Sequence, residues 1–157
     1  MAADRHRLTC LAAKTEHEPL NEGLTRYTGF LVAKAHQRLC SLFSHEFAKI
    51  GVGVPCFGVL HLLAEIGPMS QHQLGLRLRI DRTTRVKIVD QLVKTRMAQR
   101  RDHPKDRRVY LVEITPAGRS KLTAIKEIAD RIEKNLLSGF GEDEILTIHR
   151  ALFLLAS

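Results

Sequence analysis

Long apolar runs are missing from this chain of 157 residues. No stretch approaches the roughly 18 uninterrupted apolar residues that a membrane helix needs. The segment Met1–Lys14 mixes charges with small residues and builds no apolar signal block, so the expectation is a cytoplasmic protein with no membrane partner. Cysteine is scarce: Cys10, Cys40 and Cys56 form no CxxC and are odd in number, which argues against a disulfide framework and a zinc knuckle. P-loop, dinucleotide fingerprint, HExxH and Gly-x-Ser-x-Gly patterns are also absent. Nothing at informative spacing makes His72 and Asp102 a catalytic pair. These absences argue against an enzyme, and neither a cofactor nor a metal is expected. Acidic residues are outnumbered, 17 against 25 Lys and Arg, for a net charge of +8, while 44% apolar and 27% charged residues suit a packed core.

The distribution of that charge is more informative than its sum. Gln71–Tyr110 holds twelve basic residues, Arg77, Arg79, Arg82, Arg85, Lys87, Lys94, Arg96, Arg100, Arg101, Lys105, Arg107 and Arg108, against Asp81, Asp90, Asp102 and Asp106. The excess of eight equals the net charge of the whole chain, so the remainder is neutral. A merely basic surface would scatter its excess; one central window points to a module that binds a polyanion.

Apolar residues at mixed three- and four-residue steps predict a long helix from about Asn21 to Lys49. Gly51-Val52-Gly53 breaks it, and Pro55 suits the first turn of a second helix ending at Gly67-Pro68. Ser70 can cap a short third helix with Leu74 and Leu78 facing inward, and Asp81 a fourth reaching about Lys94. Val109–Ile114, rich in β-branched residues, reads as a strand paired with Met97–Arg100. Thr115-Pro116 starts another helix to about Leu137, and Glu142-Asp143-Glu144 place acids in the first turn of a final one. The fold class expected is mainly α with a small β-hairpin, in the order of a winged helix-turn-helix, whose second turn helix enters the major groove.

The residues also resemble a known family, the MarR-type transcriptional regulators. Leu60–Ser70 is similar to that family's second helix and its exit; Gln73–Leu78, Asp81–Thr84 and Val89–Leu92 follow its helix-turn-helix. Asp102–Arg108, with Leu111–Gly118 after it, resembles the wing and the strand-to-helix junction. The likeness is close from about Pro55 to Leu122 and extends to the flanking helices in length and pattern. It implies residues 1–54 as an N-terminal extension and dimerisation helix, 55–115 as the winged helix-turn-helix, and 116–157 as C-terminal dimerisation helices. It further implies a homodimer on a near-palindromic operator in double-stranded DNA, usually a repressor released by a small ligand or by oxidation. The alternatives are a non-specific or architectural nucleic-acid-binding protein, and, for the flanking helices, the completion of a monomer's core.

At about 100° per residue, Val86, Val89, Leu92 and Val93 cluster on one side of the fourth helix, with Thr83, Thr84, Lys87, Gln91 and Lys94 opposite. Thr and Gln can read base edges while lysines meet phosphates; Ser70 and Arg82 join them as DNA-binding candidates. The family usually carries an apolar residue where Arg85 stands and a polar one where Val86 stands. The helix's rotation is therefore open by about one residue, with Arg85 either beside the DNA or tucked against the turn. By the resemblance, Asp106 and Arg108 occupy the wing's Asp-x-Arg element, where the carboxylate braces a guanidinium entering the minor groove; Arg107 competes for that insertion, and a purely structural ion pair is the alternative. Arg100, Arg101 and Lys105 read as phosphate neutralisers. His36 and Cys40 have i, i+4 spacing, but no acid or second histidine completes a metal set. By resemblance a ligand pocket is lined by His36, Phe57 and His61, with ordinary core packing as the alternative. Cys10 lies where some relatives sense peroxide, though the surrounding Leu8–Ala12 departs from their motif.

Overall fold

The computed structural model describes residues 19–104 and 109–157. Cys10, Lys105, Asp106, Arg107 and Arg108 lie outside the described residues. The described chain is mainly helical with one small sheet, in the order α1 (Glu22–Thr25), α2 (Thr28–Lys49), α3 (Val54–Glu65), β1 (Met69–Ser70), α4 (Gln71–Leu78), α5 (Arg82–Lys94), β2 (Ala98–Asp102), β3 (Tyr110–Ile114), α6 (Pro116–Leu136) and α7 (Glu142–Ala156). Two departures from the sequence expectation are local. The first helix is divided: Asn21 caps the single turn of α1 by accepting from Gly23 N, and α2 begins only at Thr28. Met69–Ser70 is a short strand that pairs antiparallel with β3, Met69 opposite Val112 and Ser70 opposite Leu111.

The chain divides into two compact units. One runs Cys40–Ile132; the other combines the residues up to Leu39 with Glu133–Ser157. In the first, Phe47, Cys56, Val59, Leu60, Leu74, Val89, Leu92, Val112 and Ile125 are fully buried. Each large aliphatic side chain so buried contributes roughly 1.5–3 kcal/mol, so the helices are held by one shared core more than by their own propensities. The sheet order is β1-β3-β2, and the β2–β3 ladder runs from Ala98 opposite Ile114 to Asp102 opposite Tyr110.

The junction from β3 into α6 is tightly built. Thr115 Oγ1 accepts from Gly118 N at 3.0 Å and donates to Arg96 O at 2.7 Å. Its hydroxyl thus caps α6 and fastens that helix to the start of the hairpin, while Pro116 fills the first helical position, where a missing N–H costs nothing. In the second unit, Leu24, Tyr27, Leu31, Leu146, Phe153, Leu154 and Leu155 are all exposed, and α7 buries no residue. His149 Nε2 lies 3.5 Å from Glu133 Oε1 there. Among the described residues no single helix is long and apolar enough to cross a membrane.

Candidate nucleic-acid interface

The helix-turn-helix is set by two caps and a left-handed turn. Ser70 and Gln73 form a reciprocal capping box at α4: Gln73 N donates to Ser70 Oγ at 3.2 Å, and Ser70 N donates to Gln73 Oε1 at 2.8 Å. Arg79 ends α4 with φ 51°, and Ile80 N donates back to Gly75 O at 3.1 Å. Asp81 then caps α5, accepting from Thr84 N at 3.0 Å and from the Thr84 hydroxyl. The hydroxyl's hydrogen bond is the main reason that the Asp81 carboxyl titrates below its ordinary range. Thr84 is partly buried and its hydroxyl proton is engaged in the cap, which leaves Thr83 as the freer of the two threonines.

The rotation of α5 resolves the ambiguity over Arg85 and Val86. Ile88, Val89 and Leu92 are the buried residues of this helix. Measured from Arg82 they point at about 240°, 340° and 280°, and Arg85 at about 300° falls among them. Arg85 therefore lies on the core side, tucked against α4, and it is partly buried. The helix is turned from the orientation centred on Val86, Val89, Leu92 and Val93, and its exposed side carries Arg82, Thr83, Lys87, Asp90, Gln91 and Lys94. Asp90 is the member of this set that the reading of the sequence left out, although its direction, between Arg82 and Lys94, follows from the same 100° step. Gln91 is exposed, and its amide lies toward Gly53, where an added Cβ would stand 3.9 Å away.

In the hairpin, the alternation of strand side chains sorts the arginines. Ala98, Arg100, Val112 and Ile114 share the side that faces the core, and Arg100 Nη2 donates to Asp90 Oδ1 on α5. Gln99, Arg101 and Glu113 share the other side: Gln99 Nε2 donates to Glu113 Oε2 at 3.1 Å, and Arg101 Nη1 lies 3.8 Å from Glu113 Oε1. The two arginines read together as phosphate neutralisers thus occupy opposite faces of β2, each beside an acid.

The residues suggested for a ligand pocket are only partly gathered. Phe57 and His61 make an edge-on ring contact at 5.9 Å, continuing a chain of contacts from Phe43 through Phe47. His61 Nδ1 is buried without a hydrogen-bond partner, while Nε2 stands 3.5 Å from Glu65 Oε1. His36 is exposed on α2 and belongs to the other compact unit. Among the described residues no group of three or more His, Cys, Asp or Glu side chains could hold a metal ion.

Comparison with known proteins gives these features a lineage. A profile of the MarR family matches residues 50–109, the stretch from the end of α2 to the second strand of the wing. The transcriptional repressor NicR of Pseudomonas putida is 30% identical over 125 residues, covering 80% of this chain and 79% of NicR. A crystal structure of a probable transcriptional regulator from Pseudomonas aeruginosa superposes with a TM-score of 0.78 at 32% identity, over 84% of this chain and 98% of that one. The Bordetella bronchiseptica protein BpsR, whose DNA binding is regulated by 6-hydroxynicotinic acid, shares the fold with a TM-score of 0.79 at 24% identity, over 89% of this chain and 99% of BpsR. A basic winged helix-turn-helix related in sequence and in fold to such repressors leaves one assignment: the chain belongs to the MarR family and is a DNA-binding transcriptional regulator.

Proposed function

We propose that the protein is a homodimeric repressor that reads a near-palindromic operator with α5 in the major groove and its wing in the flanking minor groove. The observation that carries this reading is the coincidence of the chain's whole positive excess with α4, α5 and the hairpin. Thr83 and Gln91 meet base edges; Lys87, Lys94 and Arg82 meet phosphates, and Ser70 places the first turn of α4 against the backbone. Arg101 and Lys105 add salt-dependent affinity, while Arg100 is engaged by Asp90 on α5. Arg108, braced by Asp106 and beside Arg107, enters the minor groove.

Residues 1–54 and 116–157 supply the dimer contacts, residues 55–115 the reading head. The exposed apolar side chains of α1, α2 and α7 support this division, because such surface is costly in water unless another copy covers it. Repression relieved by a small aromatic acid, with Phe57 and His61 toward the effector, follows the precedent of BpsR. Such a protein acts on the chromosome in the cytoplasm and catalyses no reaction.

Selection of bound sequences from a random duplex pool, followed by titration of the selected site against a scrambled one across salt, tests the reading. A selected palindrome whose preference survives moderate salt is expected. Equal binding to both duplexes at every salt concentration would replace it with the architectural alternative.

A further inference from the structure

Arg85 is a charged residue at a core position, and Gly75 is what makes room for it. A Cβ on Gly75 would stand 2.0 Å from Arg85 Nη1, 3.1 Å from Cζ and 3.2 Å from Cδ. The Arg85 side chain thus runs across the bare backbone of α4 where a methyl group would otherwise sit. Gly75 is itself buried, yet helix-interior glycine weakens a helix relative to alanine, so the missing Cβ carries a local cost.

Among the described residues one atom of the Arg85 guanidinium is left without a partner. Its Nε is buried without a hydrogen-bond acceptor, and no acid among the described residues pairs with it. Desolvating that Nε without an acceptor carries a cost, whereas an apolar residue of similar volume at the same place would pack without it. Arginine is suited to phosphate because its planar fork donates two parallel hydrogen bonds. Arg85 lies one helical turn from the N-terminus of α5, the end from which a recognition helix meets DNA.

We propose that Gly75 is a positioning residue that holds the Arg85 guanidinium in the α4–α5 crossing, as a preformed socket for one backbone phosphate of duplex DNA. The proposal rests on the DNA-binding reading above and adds to it a coupled pair: the contribution of Arg85 to binding depends on the absence of a side chain at residue 75. Because the atom that a new Cβ meets is the tip of a flexible side chain, Gly75→Ala displaces the guanidinium and leaves the helices in register.

The test is a double-mutant cycle in the full-length protein on the selected operator, read by affinity, salt slope and thermal unfolding. Arg85→Leu is expected to raise the unfolding temperature, to weaken binding about tenfold and to reduce the salt slope by about one. Gly75→Ala alone is expected to weaken binding by a similar factor, and in the Arg85→Leu background to leave affinity unchanged. Additive losses, or an Arg85→Leu variant with unaltered affinity and slope, would overturn the socket. Wild type on the selected and the scrambled duplex separates this failure from that of the parent reading: without an operator preference the sequence-specific reading falls, whereas a preference that Arg85→Leu leaves intact in affinity and slope overturns the socket alone.

Discussion

The guanidinium of Arg100 donates to the carboxylate of Asp90, joining the first strand of the wing to the exposed side of the recognition helix. This places an acid among Thr83, Lys87 and Lys94, on the side of α5 proposed above to face DNA, and engages a cation that would otherwise be available to a phosphate. Asp90→Asn is expected to tighten binding to random duplex several-fold at low salt and to steepen the salt slope by about one, as Arg100 becomes available to a phosphate. Both side chains are about half exposed, so the loss in folding stability should stay within about 1 kcal/mol. Fluorescence anisotropy across a salt series measures the slope. An unchanged slope would mean that Arg100 already neutralises a phosphate in the wild type.

At Gly118 packing leaves no room for a side chain. A Cβ there would stand 2.0 Å from Met97 O and 2.8 Å from Ile114 Cγ1. The first of these is backbone, held by Thr115 N at 3.1 Å, so it cannot swing aside. Gly118→Ala is expected to cost about 2–3 kcal/mol, at the upper end of ordinary overpacking, despite alanine's better helix propensity. Urea unfolding of the variant against wild type gives the difference. A stability gain would mean that the strand-to-helix junction is more compliant than its hydrogen bonds imply.

Much of this was legible beforehand because local chemistry and tertiary packing agree. Ser70 and Asp81 cap helices in any context that offers free amides, and Pro116 after Thr115 marks a helix start. Val109–Ile114 has the branched residues that a half-buried strand favours, although β3 itself begins at Tyr110. The failures lie where a distant residue decides. Arg85 stays open between a place beside the DNA and one tucked against the turn until Gly75, ten residues away, is known to lie against it. Met69–Ser70 is too short for any alternation to show, and becomes a strand only because β3 has an open edge. Asp90 was hidden by the habit of seeking basic residues on a DNA-binding face.

Lys87 belongs to the exposed side of α5, and no side-chain partner holds it among the described residues. Lys87→Ala is expected to lower operator affinity and to reduce the salt slope by about one, with no change in which sequences are preferred. Binding titrations on the selected operator and on single-base variants test both parts. A loss confined to one base pair would reassign Lys87 from phosphate to base contact.

Glu46 ties α2 to α6, accepting from Lys49 on its own helix and from Arg131 at 2.9 Å. The hydrogen bond from Lys49, with the nearby charges of Lys49, Arg131 and His45, holds its carboxyl below the ordinary value of 4.5 despite some desolvation. The fold therefore favours the ionised form more than the unfolded chain does. That contribution is complete above pH 4.5 and is lost as pH falls through this value toward the lowered one. Glu46→Gln should accordingly unfold at a lower temperature than wild type near pH 7, with the gap closing as the solution is acidified. Thermal unfolding at stepped pH measures the gap. If the difference were independent of pH, the link between α2 and α6 at Glu46 would rest on packing and neutral hydrogen bonding, and its charge would be incidental.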